Sequence, residues 1–192
     1  MTVNIVIDKH SKNKVVKGLS MMKQIITFER LKEEGLCLLH RWLNTDFVIE
    51  WYEKDGMNLE QVYSNFIPKI TGEEPIHPFI IKCDDKSVGY IQTYLIDDFP
   101  EYCSYVDARE KSFAMDLFLV EKEYIHKGLG PKILREFLSN HAFDINDSEC
   151  CIIGPEPSNV VAIRAYEKVG FKYYKTINTS DGTEEYLMKL YK

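Results

Sequence analysis

A strand that runs into a glycine-containing loop and then a helix is encoded by residues 112–131, and this segment constrains the fold most. Phe113–Leu119 is apolar with one exception, which predicts a strand buried on both faces. The exception is Asp116. Gly128 and Gly130 follow, and glycine lets the backbone approach a ligand closely. The segment therefore predicts a ligand site at the end of a buried strand.

The residues after these glycines have the pattern of a helix start. We predict Pro131 at the first helical position, followed by the amphipathic segment Lys132–Leu138. The free N–H groups of a helix start attract phosphate. A phosphate-containing ligand is therefore expected at this junction.

A second motif, PSNVVAIRAYEKVGF, occupies residues 157–171. Together the two motifs resemble the acetyl-CoA-binding core of the GNAT acetyltransferase superfamily. The matching residues are Gly128, Gly130, Asn159, Ala162, Tyr166, Glu167, Lys168, Gly170 and Phe171. Further matches resemble the aminoglycoside 6′-N-acetyltransferase branch, and they are Trp42–Asn44, Val48–Trp51, Val88–Tyr90, Gln92, Tyr94 and Met115–Asp116.

The resemblance implies one α+β domain over residues 21–192. Its sheet would be mixed, largely antiparallel and twisted, with flanking helices and two central strands splayed apart to admit acetyl-CoA. The predicted order of elements agrees: a strand, two helices, three strands, a helix, a strand, a helix and two strands. Residues 1–20 are expected to form a disordered or peripheral extension, or else an extra edge strand. Residues 48–56 and 97–111 are predicted to be loops.

The resemblance also implies which residues bind acetyl-CoA, with no metal involved. Backbone groups of the strand would hold the pantetheine and polarise the acetyl carbonyl, at Leu117, Phe118 and Leu119. Loop amides would cradle the pyrophosphate, at Ile125, His126, Lys127, Gly128, Leu129 and Gly130. One face of the following helix would line the groove, with Asn159, Ala162 and Tyr166.

Acetyl transfer to an amine needs a neutral amine, a polarised carbonyl and a proton for the leaving thiolate. Asp116 is a candidate to bind the substrate ammonium and help remove its proton; the alternative is a carboxylate paired in the core. By the resemblance, Tyr166 is the general acid; the alternative is a helix tyrosine whose hydroxyl bonds elsewhere. Glu50, Trp51 and Tyr94 are expected to contact the substrate together with Asp116, although residues 48–56 also fit a plain surface loop.

Three residues depart from the family pattern. Ile125 replaces an Arg or Gln, and Pro131 removes an N–H donor at the helix start. Gly154 stands where the 6′ branch has an Asp before the proline, and that Asp would be a second anchor for a cationic sugar.

The composition limits the class of partner. The net charge of −6 and a pI near 5.4 disfavour nucleic acid and anionic membranes and suit a cationic substrate. The five cysteines have neither C-x-x-C nor metal-ligand spacing, and an odd count without a disulfide framework fits a reducing cytoplasm. We therefore expect a cytoplasmic N-acetyltransferase, monomeric or homodimeric, for a small polycationic amine, with the 6′-amine of an aminoglycoside as the leading candidate. The alternatives are a polyamine, a siderophore precursor or a protein N-terminus as substrate, or a non-catalytic acyl-CoA-binding module.

Overall fold

The computed structural model describes residues 24–120 and 128–192. The strands within these ranges are β1 (Ile26–Arg30), β2 (His77–Cys83), β3 (Lys86–Leu95), β4 (Ser112–Leu119), β5 (Cys150–Ile153), β6 (Lys172–Asn178) and β7 (Glu184–Tyr191). The helices are α1 (Leu36–Leu43), α2 (Asp46–Trp51), α3 (Leu59–Thr71), α4 (Pro100–Val106), α5 (Leu129–Phe137), α6 (Phe143–Asn146) and α7 (Val160–Val169). None of these helices has the length and apolarity needed to cross a bilayer. The predicted extension, residues 1–20, lies outside the described residues.

The strands form one seven-stranded sheet in the order β1-β2-β3-β4-β5-β7-β6. Every neighbouring pair is antiparallel except β4 and β5, which are parallel. A tight turn joins β2 to β3, and its residues Asp84 and Asp85 both have positive φ, as a type I′ hairpin turn requires. The parallel pair is instead joined through α5 and α6, because a parallel connection needs a long crossover. The predicted α+β fold with a mixed, largely antiparallel sheet is confirmed.

The parallel pairing of β4 with β5 stops early. Although β4 has eight residues, only Ser112, Phe113 and Ala114 are paired with β5. On its other side β4 stays paired with β3 as far as Leu119. The two central strands therefore separate beyond Ala114, as predicted, and the backbone of residues 115–119 has an open edge toward β5.

Side chains of β4 alternate between the two faces of the sheet. Met115 and Leu117 pack with buried residues of α5 and α7, whereas Ala114 packs with α4, and Phe118 with α1 and α3. We call these sides the α5/α7 face and the α3/α4 face. Asp116 shares its parity with Ala114 and Phe118, so it lies on the α3/α4 face.

Capping side chains and a glycine define the ends of two helices, α3 and α7. Asn58 caps α3 in a capping box, in which its side chain accepts from Gln61 N and Gln61 Oε1 accepts from Asn58 N. Asn159 caps α7 by accepting from Ala162 N at 3.0 Å, and Gly170 ends that helix with φ at 116°. These interactions fix where α3 begins and where α7 begins and ends.

Three local predictions were wrong. Residues 48–56 are not all loop, because α2 runs through Trp51, and most of residues 97–106 is helical rather than loop. The acid-rich composition concealed α4, which buries Tyr102 and Val106 four residues apart on one side. Pro131 is the third helical residue rather than the first, since Gly128 with φ at 78° starts α5 earlier. A proline is still tolerated there because first-turn N–H groups have no intrahelical acceptor.

We expect Gly89→Ala to destabilise the β3–β4 pair by roughly 2 kcal/mol or more through overpacking. A Cβ at this position would lie 2.2 Å from the backbone oxygen of Phe118, which cannot move without breaking the sheet. The matched control is Gly130→Ala in α5, where a Cβ meets no atom of the surrounding described residues within 4 Å. Urea unfolding measures both variants, and equal stabilities would contradict the packing described for Gly89.

Candidate active site

A pair of buried polar side chains lies in the middle of the α3/α4 face. Asp116 on β4 and Gln92 on β3 are paired across the two strands and are almost fully buried. Gln92 Nε2 donates to Asp116 Oδ2 at 2.5 Å, and the Tyr90 hydroxyl donates to Gln92 Oε1 at 2.7 Å. The second carboxylate oxygen, Asp116 Oδ1, is buried without a hydrogen-bond partner among the described residues. Such an oxygen is an open acceptor for a ligand, because buried polar atoms are normally paired.

This carboxylate opens into a cavity of about 200 Å³. The described residues that line it are Tyr52, Glu53, Met57, Asn65, Phe66, Lys69, Gln92 and Asp116. Lys69 Nζ lies 4.6 Å from the centre of the Phe66 ring and donates to Gln92 Oε1 at 3.4 Å. The cavity thus already holds one ammonium group against an aromatic face, and the carboxylates of Glu53 and Asp116 also line it.

The environment changes the proton affinity of both charged groups. Burial raises the pKa of Asp116, while the Gln92 hydrogen bond and the Lys69 charge oppose that rise. Burial lowers the pKa of Lys69, and Glu74, Asp116 and Glu53 partly restore it. A carboxylate with a raised pKa is a better base toward an ammonium than a solvated one.

A second cavity, of about 350 Å³, lies on the same face. Its lining is acidic and aromatic: Tyr94, Asp98, Phe99, Pro100, Glu101, Tyr102, Tyr105, Thr179, Ser180 and Asp181. Tyr94 is buried edge-on to Phe99, and its hydroxyl makes no hydrogen bond to a described residue. The structure thus brings the predicted substrate residue Tyr94 to the α3/α4 face, which also carries Asp116.

Glu185 on β7 is a fully buried carboxylate that was not predicted from the sequence. Its Oε2 accepts from the Tyr102 hydroxyl at 2.9 Å, and its Oε1 has no described hydrogen-bond partner. Burial raises the pKa of Glu185 to about 7, with Asp116 and Asp181 adding to the rise and Tyr102 opposing it. The sequence did contain a signal for its burial: Glu185 lies two residues before Leu187, so in a strand both side chains point to the same, buried face.

The other predicted substrate residues lie on α2. Glu50 is exposed and Trp51 is half-buried, and neither lines the cavity at Asp116. The next two residues, Tyr52 and Glu53, line it instead. Substrate contact by Glu50 and Trp51 stays a prediction.

The predicted general acid lies on the opposite side of the sheet from Asp116. Tyr166 of α7 is fully buried on the α5/α7 face, edge-on to Phe171 with ring centres 5.7 Å apart. Ala162 is buried in the same cluster. Groups on these two faces could act on one molecule that passes through the opening between β4 and β5.

The start of α5 offers a site for an anion near that opening. Gly128 is its N-cap and, having no side chain, cannot cap the first-turn N–H groups of the helix. A Cβ built at Gly128 or Gly130 would meet no atom of the rest of the described chain within 4 Å, which leaves room for a ligand against the backbone. These features fit a pyrophosphate, and Leu117, Phe118 and Leu119 lie along the open edge of β4. Ile125, His126 and Lys127 lie outside the described residues.

A family model described as an acetyltransferase (GNAT) domain matches residues 32–179. The chain belongs to the GNAT acetyltransferase family. This GNAT protein is 29% identical over 168 residues to aminoglycoside N(6′)-acetyltransferase type 1 of Klebsiella pneumoniae, covering 85% of this chain and 82% of that protein. It is 38% identical over 77 residues to a kanamycin resistance protein of Rhizobium radiobacter, covering 39% of this chain and 68% of that protein.

The crystal structure of aminoglycoside acetyltransferase AAC(6′)-Ib in complex with coenzyme A and kanamycin has the same fold. The two superpose with a TM-score of 0.74 at 26% identity, over 88% of this GNAT chain and 95% of that one. The predicted family and its architecture are thereby confirmed.

We expect Glu185→Gln to remove a pH-dependent loss of stability. Because the folded-state pKa is raised from 4.5 to about 7, the stability linked to this group is full below about pH 4.5 and is lost as the pH rises through 7. At one pKa unit per about 1.4 kcal/mol, the wild type should lose on the order of 3 kcal/mol more than the variant by about pH 8.

Urea unfolding of both proteins between about pH 5 and pH 8 measures this difference. The control is Glu184→Gln, the exposed neighbour on the same strand. Parallel pH curves for wild type and Glu185→Gln would contradict the raised pKa.

Proposed function

We propose that this protein transfers the acetyl group of acetyl-CoA to the 6′-amine of an aminoglycoside. The observation that carries the proposal is the buried carboxylate of Asp116, which keeps one oxygen open beside the gap between β4 and β5. The relatives named above as aminoglycoside N(6′)-acetyltransferases support this choice of substrate. The five free cysteines support a reducing cytoplasmic location, where the enzyme would act as a monomer or homodimer.

In this proposal Asp116 has two tasks at the acceptor amine. Its Oδ1 binds the substrate ammonium, and the same oxygen then accepts the proton that the amine must lose before it can attack. The Gln92 amide holds Oδ2, which fixes the orientation of the carboxylate. Glu53 adds negative charge to the cavity, which favours a cationic substrate.

The residues around the gap would hold the acyl donor. Backbone groups along Leu117–Leu119 would bind the pantetheine, and the amides from Gly128 to Gly130 would bind the pyrophosphate. Asn159 contributes by holding the first turn of α7, because its side-chain oxygen already caps that helix. When bound, acetyl-CoA supplies an activated thioester. Tyr166 would hold, at its hydroxyl, the proton that the departing thiolate takes up.

The proposal is tested by thiol release from acetyl-CoA with kanamycin, tobramycin and spermidine as acceptors. We expect turnover with the two aminoglycosides, and nuclear magnetic resonance of the product should show acetylation at the 6′ nitrogen. Turnover with spermidine alone would assign the protein to a polyamine substrate. Binding of acetyl-CoA without turnover on any amine would leave a non-catalytic binding module.

We expect Asp116→Asn to lose most of kcat/KM for kanamycin while staying folded. Loss of a charged hydrogen bond accounts for about 10- to 150-fold, and a larger loss implies a part in proton removal. The loss should shrink as the pH rises from 6 to 9, because the neutral amine accumulates near its pKa of about 10. The control is Asp85→Asn in the β2–β3 turn. A folded Asp116→Asn enzyme with wild-type kcat/KM would exclude Asp116 from the mechanism.

We expect Tyr166→Phe to lower kcat by about 10² to 10⁴ and to leave KM nearly unchanged, because proton donation matters only in the transition state. Steady-state kinetics with kanamycin measure the effect. Tyr173→Phe on β6, an exposed tyrosine, is the matched control. A fall in kcat of less than about threefold would mean that another group protonates the thiolate.

A further inference from the structure

Glu185 occupies the space into which a side chain at position 154 would extend. A Cβ built on Gly154 would lie 2.3 Å from Glu185 Oε2 and 2.9 Å from Leu187 Cδ2. Gly154 directly follows β5, which is paired with β7, so the two positions are neighbours across the sheet. The glycine is therefore what allows a glutamate at 185 to turn inward and place its carboxylate there.

No positively charged side chain among the described residues balances the Glu185 carboxylate. The Tyr102 hydroxyl is the one described hydrogen-bond donor to the carboxylate, and no described cation forms an ion pair with it. Among the described residues, the charged groups that act on it are the acids Asp116 and Asp181, and both raise its pKa. A buried carboxylate without a cation is normally avoided, because burying an unpaired charge is strongly unfavourable.

Glu185 also lies on the same face as Asp116. It has the parity of Leu187, whose side chain packs in the cluster that contains Ala114 and Tyr94. Tyr94 lies close enough to both acids for their charges to affect it. Its pKa is raised first by burial and then by Asp116, Tyr102 and Glu185. The Tyr94 hydroxyl, Asp116 Oδ1 and Glu185 Oε1 are all buried without hydrogen-bond partners among the described residues. Three open polar atoms on one face match a ligand that carries several polar groups.

We propose that Glu185 is a second ammonium-binding residue of the acceptor site, so that the substrate is held by one carboxylate on β4 and another on β7. This inference rests on the proposed function and extends it: the acceptor must carry a second ammonium group besides the amine that is acetylated. Asp116 takes the reacting amine, Glu185 takes the second cation, and the Tyr94 hydroxyl binds a hydroxyl or amine between them. A monoamine can satisfy only one of the two carboxylates.

A structural role for Glu185 predicts different behaviour. If the carboxyl group only accepted the hydrogen bond from Tyr102, glutamine would replace it, because its amide oxygen is an equivalent acceptor. An ammonium-binding role depends on the charge, which glutamine lacks. Glu185→Gln therefore separates the two roles without removing the hydrogen bond.

The first experiment is calorimetric titration of the protein with kanamycin and, separately, with the monoamine glucosamine. We expect Glu185→Gln to weaken kanamycin binding roughly 10- to 100-fold and to leave glucosamine binding unchanged. Glu184→Gln, on the exposed side of β7, should bind both as the wild type does. Melting curves check that each variant is folded.

The second experiment moves the carboxylate to the neighbouring strand. Glu185→Ala removes the carboxylate that a side chain at 154 would meet most closely, leaving the flexible Leu187 side chain, and Gly154→Asp in that background supplies a carboxylate from the end of β5 instead. We expect this double variant to recover at least part of the lost affinity for kanamycin. Its control, Gly154→Ala with Glu185→Ala, should recover none.

The outcomes separate this inference from the proposed function. If the wild type acetylates kanamycin and Glu185→Gln binds it equally well, Glu185 is not an anchor and the proposed function stands. Recovery by the alanine control as well as by the aspartate variant would also overturn the inference, because it would show a packing effect. A wild type that neither binds nor acetylates kanamycin would overturn both.

Discussion

The end of the β4–β5 pairing after Ala114 is the constraint on which the rest of the site depends. Because β5 stops at Ile153, the backbone of residues 115–119 keeps an open edge in the middle of a seven-stranded sheet. Through this opening, groups on the two faces of the sheet can reach one bound molecule. Asp116 lies on one face and Tyr166 on the other, so the proposed proton acceptor for the amine and the proposed proton donor for the thiolate lie on opposite faces.

The buried carboxylates of the α3/α4 face lower the stability of the folded protein. Asp116 and Glu185 are buried, each with one carboxylate oxygen that bonds to no described residue, and burial raises the pKa of both. Apolar residues at these positions would pack more favourably. Lys69 partly balances the charge around Asp116, whereas the charged groups of the described residues that act on Glu185 are the acids Asp116 and Asp181. Such an arrangement is expected where a polycationic ligand binds and supplies the missing positive charges.

Much of the fold could be predicted because its signals are local. The apolar run of β4 around Asp116, the asparagine caps of α3 and α7 and the tight hairpin turns each lie within a few residues. The short helices α2 and α4 were missed because acidic residues hid their buried positions. Glu185 was missed for another reason. Gly154 was interpreted as the loss of an acidic anchor, and the contact that fills its place comes from another strand, which spacing along the chain does not reveal.

A crystal structure of the protein with coenzyme A and kanamycin would test the account most directly. We expect the thiol sulfur in the opening between β4 and β5, within hydrogen-bond distance of the Tyr166 hydroxyl. The 6′-amine should reach Asp116 Oδ1 from the α3/α4 face. A complex with the sulfur outside that opening, or with kanamycin bound on the α5/α7 face, would contradict this account. The account places the amine on the α3/α4 face and the proton donor to the thiolate on the α5/α7 face.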